Sequence, residues 1–223
     1  MSEGIDASFY TPAQRAVQAD QQTVDLADRL TLAIFADEIP EEQIPFIESR
    51  DFFFLSTVNE RGEPTVSYKG GPVGLVKVLD PKTVVFPCYD GNGMFLSMGN
   101  ISDTGKIGML FIDFETPNRF RVQATATVSS DDPEMATFPG ATMIVRATVD
   151  TTFVNCARMI HKHERVETSP YVPDADGNQP YPAWKRIDAV QDVLRPDDQG
   201  RAADEGGIIT MEDYAEKLMA GES

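Results

Sequence analysis

Between Arg119 and Ser129 the chain alternates without a break. Phe120, Val122, Ala124, Ala126 and Val128 are apolar, and Arg121, Gln123, Thr125 and Thr127 between them are polar. A period of two belongs to an extended strand with one buried and one wet face. The flanking segments have the same character. Phe52 to Val58 is aromatic and β-branched, the turn Asn59-Glu60-Arg61-Gly62-Glu63-Pro64 follows, and Thr65 to Tyr68 starts the return strand of a hairpin. Gly74 to Leu79 and Thr83 to Pro87 are two further runs about the turn Asp80-Pro81-Lys82. Lys106 to Phe114 and Thr142 to Phe153 complete the set, with a loop or short helix over Asp131 to Gly140. About six strands in hairpin succession predict a mainly β fold with flanking helices, an antiparallel sheet closed or nearly closed into a barrel. A doubly wound parallel fold would need a helix between most strands, and those helices are missing.

The flanks read differently. The first ten residues look like a frayed end. Thr11-Pro12 is a helix start, and Val17, Val24, Ala27, Leu30 and Ile34 recur at helical spacing, so one amphipathic helix is expected over about 12 to 36. Pro40 starts a second, shorter helix through Ile44 and Ile47, limited by Pro45. Both are expected to cover the sheet, and Gly93 to Ile101 to form another short helix. From Val166 to Gly207 proline, glycine and aspartate dominate, which predicts an extended arm before a last helix at Met211 to Met219. The anchors Tyr171, Tyr181, Trp184, Ile187 and Leu194 favour an arm laid over a partner subunit. The expected organisation is 1–50 as helices packing on the barrel, 51–165 as the barrel and 166–223 as the arm, in one domain overall.

Charge and motifs narrow the function. With 36 acidic against 19 basic residues the formal net charge is −17, which argues against nucleic acid and against anionic membrane. No apolar run approaches the ~20 residues that span a bilayer. The start MSEGIDASFYTP lacks the charged and apolar regions of a signal peptide, and Cys88 and Cys156 are too few for a disulfide scaffold, so a cytoplasmic location is expected. Gly91-x-Gly93 followed by Gly99 is wrongly spaced for a dinucleotide fingerprint, and no P-loop or G-x-S-x-G elbow is present. His161 and His163 would point apart on a helix and no cluster completes a ligand set, so no metal is expected.

In so acidic a chain an anionic ligand is held where cations converge. Ser67-Tyr68-Lys69-Gly70-Gly71 puts a lysine at a strand end beside two glycines, and Asp90-Gly91-Asn92-Gly93 opens a helix whose free N–H groups attract anions. Arg119 and Arg121 begin the alternating strand, and Arg158, Lys162 and Arg165 follow Cys156. A barrel rim gathering all three groups would make a phosphate clamp with room for a second acidic group. A salt bridge for Arg158 or Lys162, and simple solvation for Arg121, remain equally open.

The runs FFFLSTVNERGEPTVSYKGG, GLVKVLD, VVFPCYDGNGMFLSMGNI, IGMLFIDF and RFRVQATATV, in this order, resemble the pyridoxamine 5′-phosphate oxidase-like flavoproteins, which are FMN-binding split β-barrels. The likeness is greatest to a bacterial branch reading S-[YH]-[RK]-G-G and then F-P-x-Y-x-G-N-x-M-F-x-S-x-G-N. It runs from about Phe46 to His161 and resumes weakly at PYPAWKR.

The resemblance implies FMN at the interface of a homodimer. Ser67, Tyr68, Lys69 and Gly70 match the segment along the flavin and its phosphate. Phe86 and Pro87 match the strand end bordering the isoalloxazine, and Asn92, Gly93 and Met94 the phosphate turn. Arg119 falls where a polar contact reaches the flavin from the other subunit, with Arg121 close by. Asn155, Arg158 and His161 fall near the segment that meets substrate, which makes Arg158 and His161 the candidate catalytic residues, His161 as proton donor. Asn92-Gly93-Met94 stands where the true oxidases carry serine-arginine-lysine, and an acidic arm replaces their C-terminal end, both of which speak against pyridoxamine phosphate as substrate. The resulting expectation is an FMN-dependent oxidoreductase of a small molecule, with NAD(P)H as a candidate donor. The alternatives are a deazaflavin F420-dependent reductase and a non-catalytic flavin- or haem-binding protein.

Overall fold

A computed structural model describes residues 9–221. The frayed end expected for the first ten residues lies, over its first eight, outside them. The chain divides into two compact units: one runs to Thr168 and includes Val172–Gly177, the other holds Ser169–Tyr171 and everything from Asn178 on.

In the first unit the strands are β1 (Phe35–Ala36), β2 (Phe52–Val58), β3 (Pro64–Gly70), β4 (Lys77–Asp80), β5 (Thr83–Cys88), β6 (Lys106–Asp113), β7 (Asn118–Ser129) and β8 (Met143–Val154). They form one antiparallel sheet in the order β3-β2-β6-β7-β8-β5-β4. The first half of β8 pairs β5 on its second edge, and its end pairs β1 through Phe35 and Phe153. The two ends of the path do not pair, so the sheet curls without closing, which is the split β-barrel.

The alternation decides which face goes inward. Phe120, Val122, Ala124 and Ala126 of β7 are buried, and they meet Phe53 and Leu55 of β2, Met109 and Phe111 of β6 and Val84 and Phe86 of β5 in one core. Phe53 packs edge-on against Phe86, with ring centroids 5.1 Å apart. Strand β5 is buried on both faces, because Val85 and Ile144 pack under Phe138 on the other side.

Residue Asp132 caps the turn Pro133–Thr137 below Phe138, and its carboxylate takes Arg146 Nε at 2.9 Å and Nη2 at 2.8 Å. That fork holds the Asp132 carboxyl below its ordinary value. A carboxyl depressed in the folded state stabilises above its unfolded pKa, about 3.9, and loses that contribution as pH falls through the folded value. Asp132→Asn is therefore expected to cost about 1–2 kcal/mol at neutral pH and to flatten the fall in melting temperature below about pH 4. An acid limb identical to wild type would refute this.

The single helix expected over 12–36 is instead two, α1 (Pro12–Asp20) and α2 (Val24–Ile34). The chain turns at Gln22, whose φ is +57°, and Arg15 bridges back to Asp28 at 2.5 Å. Asp20-Gln21-Gln22-Thr23 supplies no apolar group to carry the stripe across, so the hairpin costs no burial. Within this chain α1 buries nothing and α2 only Thr31. The cover expected of them comes from α3 (Ile44–Glu48) and the segment before it, through Ile47 and Ile39. Helix α4 (Leu96–Thr104) adds Met98 and Ile101 to the core. It starts three residues later than expected, because Gly93 and Phe95 both have positive φ.

The second unit is a run of short 3-10 turns rather than a structureless arm, and it ends in α5 (Met211–Ala220), capped by Thr210 and Asp213. Ile187, Leu194 and Ala202 are buried within it, around a buried Lys185–Asp198 ion pair. Among the described residues no helix is long and apolar enough to cross a membrane.

Candidate functional site

Strand β3 carries the site. Its inner face presents Thr65, Ser67 and Lys69 in turn, because Leu55 and Phe53, the partners of Ser67 and Lys69 across the β2 ladder, point into the core. Helix α4 lies over this polar row. Asn100 Nδ2 donates to Thr57 Oγ1 at 2.9 Å and lies 3.4 Å from Thr65 Oγ1, and Ser97 Oγ is 3.0 Å from Ser67 Oγ. Moving from Asn100 to Ser97 along α4 is moving from Thr65 to Ser67 along β3. The helix therefore runs antiparallel to the strand, with its N-terminus toward Lys69.

That N-terminus has no side-chain cap. Phe95 precedes it at φ +48°, a left-handed conformation that a bulky residue adopts at a cost, which is the kind of strain functional sites hold. Asn92 Oδ1 accepts from Met94 N at 3.1 Å and shapes the turn, while Met94, Phe95 and Leu96 stand exposed at its mouth.

Lys69 is half-buried and has no hydrogen bond or ion pair among the described residues. Burial pulls its pKa down, and the Cys88 thiol, itself pushed up by burial, pulls the other way. The end of β5 thus comes round to the end of β3. A Cβ on Gly71 would stand 2.6 Å from Leu75 Cδ1 and 3.1 Å from Tyr89 Cε2, so glycine is what permits this approach. An ammonium and an uncapped helix start, both positive, converge where no carboxylate answers them. The arrangement fits a phosphate: hydroxyls of Ser67 and Ser97 beside it, a cation on one side and free N–H groups on the other.

The other expected residues lie elsewhere. Tyr68, Phe54, Leu110, Arg121 and Phe153 form one row across β3, β2, β6, β7 and β8. Arg121, and Arg119 two residues before it, therefore sit level with Lys69 but on the outer face. The single rim gathering all the cations is not formed: strand parity puts Lys69 inside and both arginines outside. Arg121 Nη1 donates to Asn155 Oδ1 at 2.6 Å, and Arg119 Nη2 to the Cys156 carbonyl at 2.8 Å. Phe86 is closed inside the core and Pro87 is buried, so neither presents a side chain to a ligand. Gly70 ends β3 under Tyr68, whose ring stacks on Phe52 at 5.4 Å. Arg158 and His161 lie exposed in the irregular segment after β8, and neither side chain has a partner among the described residues. Arg165 is spoken for by Asp51 at 2.7 Å.

Reading the sequence missed Ser97, Asn100, Cys88 and Phe95. Serine and asparagine three apart on a helix facing a threonine-serine strand was the available signal for the first two. A groove of about 410 Å³ opens over Gly108 between Ser56, Gln123, Lys106 and Asp150, at the far end of β2 from Lys69. Its lysine and aspartate lie 3.7 Å apart and answer each other, so it gathers no net charge. No group of three metal-ligating side chains occurs among the described residues.

A family model described as pyridoxamine 5′-phosphate oxidase matches residues 39–170, more than half of the chain, and the chain belongs to that family. Among solved structures it is similar to HupZ of Group A Streptococcus, at 20% identity over 52% of this chain and 93% of that one, TM-score 0.43. It is also similar to HutZ, the haem storage protein of Vibrio cholerae, at 17% identity over 52% and 94%, TM-score 0.40. An FMN-binding protein of Syntrophomonas wolfei matches at 14% identity over 61% and 95%, TM-score 0.34. No curated protein sequence matches the chain.

Proposed function

We propose that this protein binds FMN and acts as a flavin-dependent oxidoreductase on a small molecule, with the cofactor phosphate held between Lys69, Ser67, Ser97 and the first turn of α4. The observation that carries this is the half-buried Lys69, without a counter-charge and facing an uncapped helix start, in a chain of net charge −17. Family membership points the same way. When bound, FMN supplies the hydride or electron chemistry, and the chain's part is to bind, orient and exclude water. That division of labour suits a protein without a nucleophile–base pair.

Because Arg119, Arg121 and Asn155 occupy the outer face, they reach a cofactor held at Lys69 only from a second copy of the chain. A homodimer with the flavin between subunits follows, with Met94, Phe95 and Leu96 as apolar wall at the mouth. Gly70 gives close backbone approach, and Asn92 and Gly93 shape the phosphate turn. Arg158 and His161, on an irregular segment free to approach the same mouth, are the substrate contacts in this reading, His161 as proton donor. A cytoplasmic enzyme reduced by NAD(P)H completes it.

A second reading has one observation in its favour. Lys69 is a single cation on its face, which matches the one negative charge of a phosphodiester, so the deazaflavin F420 could take the same groove. The test is the purified protein itself. Flavin bands that bleach anaerobically with NADPH or NADH, and FMN mass released on denaturation, are expected. F420 mass supports the second reading. A Soret band or a colourless protein overturns both.

A further inference from the structure

The outer-face arginines are more than a solvated pair. Arg119 and Arg121 stand two residues apart on an extended strand, so their Cα atoms are about 7 Å apart and both point the same way. Neither has a carboxylate within ion-pairing range among the described residues, although acids outnumber bases almost twofold. Each is pinned by a neutral acceptor, Asn155 Oδ1 or the Cys156 carbonyl, which fixes the guanidinium without cancelling its charge. Arg119 Nε is buried and has no acceptor. Burial and the charge of Arg119 both pull the Arg121 pKa down, so holding the two side by side is unfavourable in the free protein. Beside them is a flat apolar wall: Arg121 lies 5.7 Å over Phe153, which stacks on Phe35 at 4.5 Å.

A buried N–H without an acceptor and two like charges without a counterion are all relieved by one oxyanion. Guanidinium donors in a fixed fork suit carboxylate and phosphate equally. We infer that Arg119 and Arg121 form an oxyanion subsite of their own, separate from Lys69, that takes the carboxylate or phosphate of a small aromatic molecule whose ring lies toward Phe153. Placed against a flavin between two subunits, this subsite makes the substrate an aromatic anion; that step rests on the proposed function, whereas anion binding by the pair does not.

The test follows the Arg119 Nε–Hε resonance in the full-length protein, identified by its loss in Arg119→Lys. Benzoate and phenyl phosphate are titrated separately at matched ionic strength. A saturable shift with either is expected, and which of the two acts names the source of the oxyanion. Arg121→Gln should weaken that binding at least about tenfold, and Arg121→Lys, which keeps the charge and guards against misfolding, should weaken it by a smaller factor. Lys69→Ala should leave it unchanged. No shift with either compound, a shift that sodium chloride reproduces, or one that Arg121→Gln leaves intact would overturn the subsite. A protein that responds to these anions yet never carries a flavin would instead sink the flavin reading alone.

Discussion

Lys69→Ala is expected to raise the dissociation constant for FMN about 10- to 100-fold, the loss of one charge-assisted contact, whereas Lys82→Ala should change it by no more than about twofold. The contrast comes from what answers each charge. Lys82 meets the Asp37 carboxylate at 2.8 Å and also donates to the Asp37 carbonyl, so its charge is neutralised within the turn. Lys69 has neither acid nor acceptor and waits for one. The two variants should also part company in stability. A lysine whose folded pKa is depressed opposes folding while it is charged, and the penalty fades only as pH rises through that depressed value. Lys69→Ala should therefore hold or raise the melting temperature of flavin-free protein, while Lys82→Ala lowers it slightly. Flavin fluorescence titration and thermal unfolding read the two effects independently. Equal FMN affinity in both variants would remove the phosphate from Lys69, and a marked loss of apo stability in Lys69→Ala would mean that the lysine has a structural role instead.

Asp198→Ala should have the largest effect on stability. Lys185 and Asp198 are 5% and 6% exposed and their charged groups lie 2.8 Å apart, in a unit whose other buried side chains are few. Removing one partner leaves a buried charge uncompensated, at a cost of about 3–5 kcal/mol. Arg201, 3.8 Å from the other carboxylate oxygen, would lose its partner as well. The expected result is early tryptic cleavage at Lys185, Arg186 and Arg195 and loss of amide protection over 178–221. Replacing both partners by apolar residues, Lys185→Met with Asp198→Leu, should restore most of the protection. Protection in Asp198→Ala indistinguishable from wild type would show that short turns alone hold this unit together.

The split barrel was legible because its strands carry their periodicity openly. The alternation from Phe120 to Val128 names the buried set of β7, and the turn residues before β3 and β5 mark the hairpins. The break between α1 and α2 was less legible, since Val17 and Val24 keep helical spacing across a turn that depends on one backbone angle at Gln22. The C-terminal segment misled through composition. Proline and glycine there build successive 3-10 turns around an ion pair that no local pattern announces.

What the residues determined unaided was a sheet of half-buried strands, a lysine beside glycines in a strongly acidic chain, and the likeness that named a family. Those follow from local chemistry: side-chain period, turn preference and charge act over a few neighbours. Which cations share a face was decided only by the folded sheet. One residue of register separates inside from outside, and pairing across four strands put Lys69 opposite the core and Arg119 and Arg121 behind it. The uncapped start of α4, its serine against Ser67, and the approach of β5 to the end of β3 are long-range contacts as well. They exist only once the sheet has curled, because only then do segments thirty residues apart in the chain come within reach of one anion.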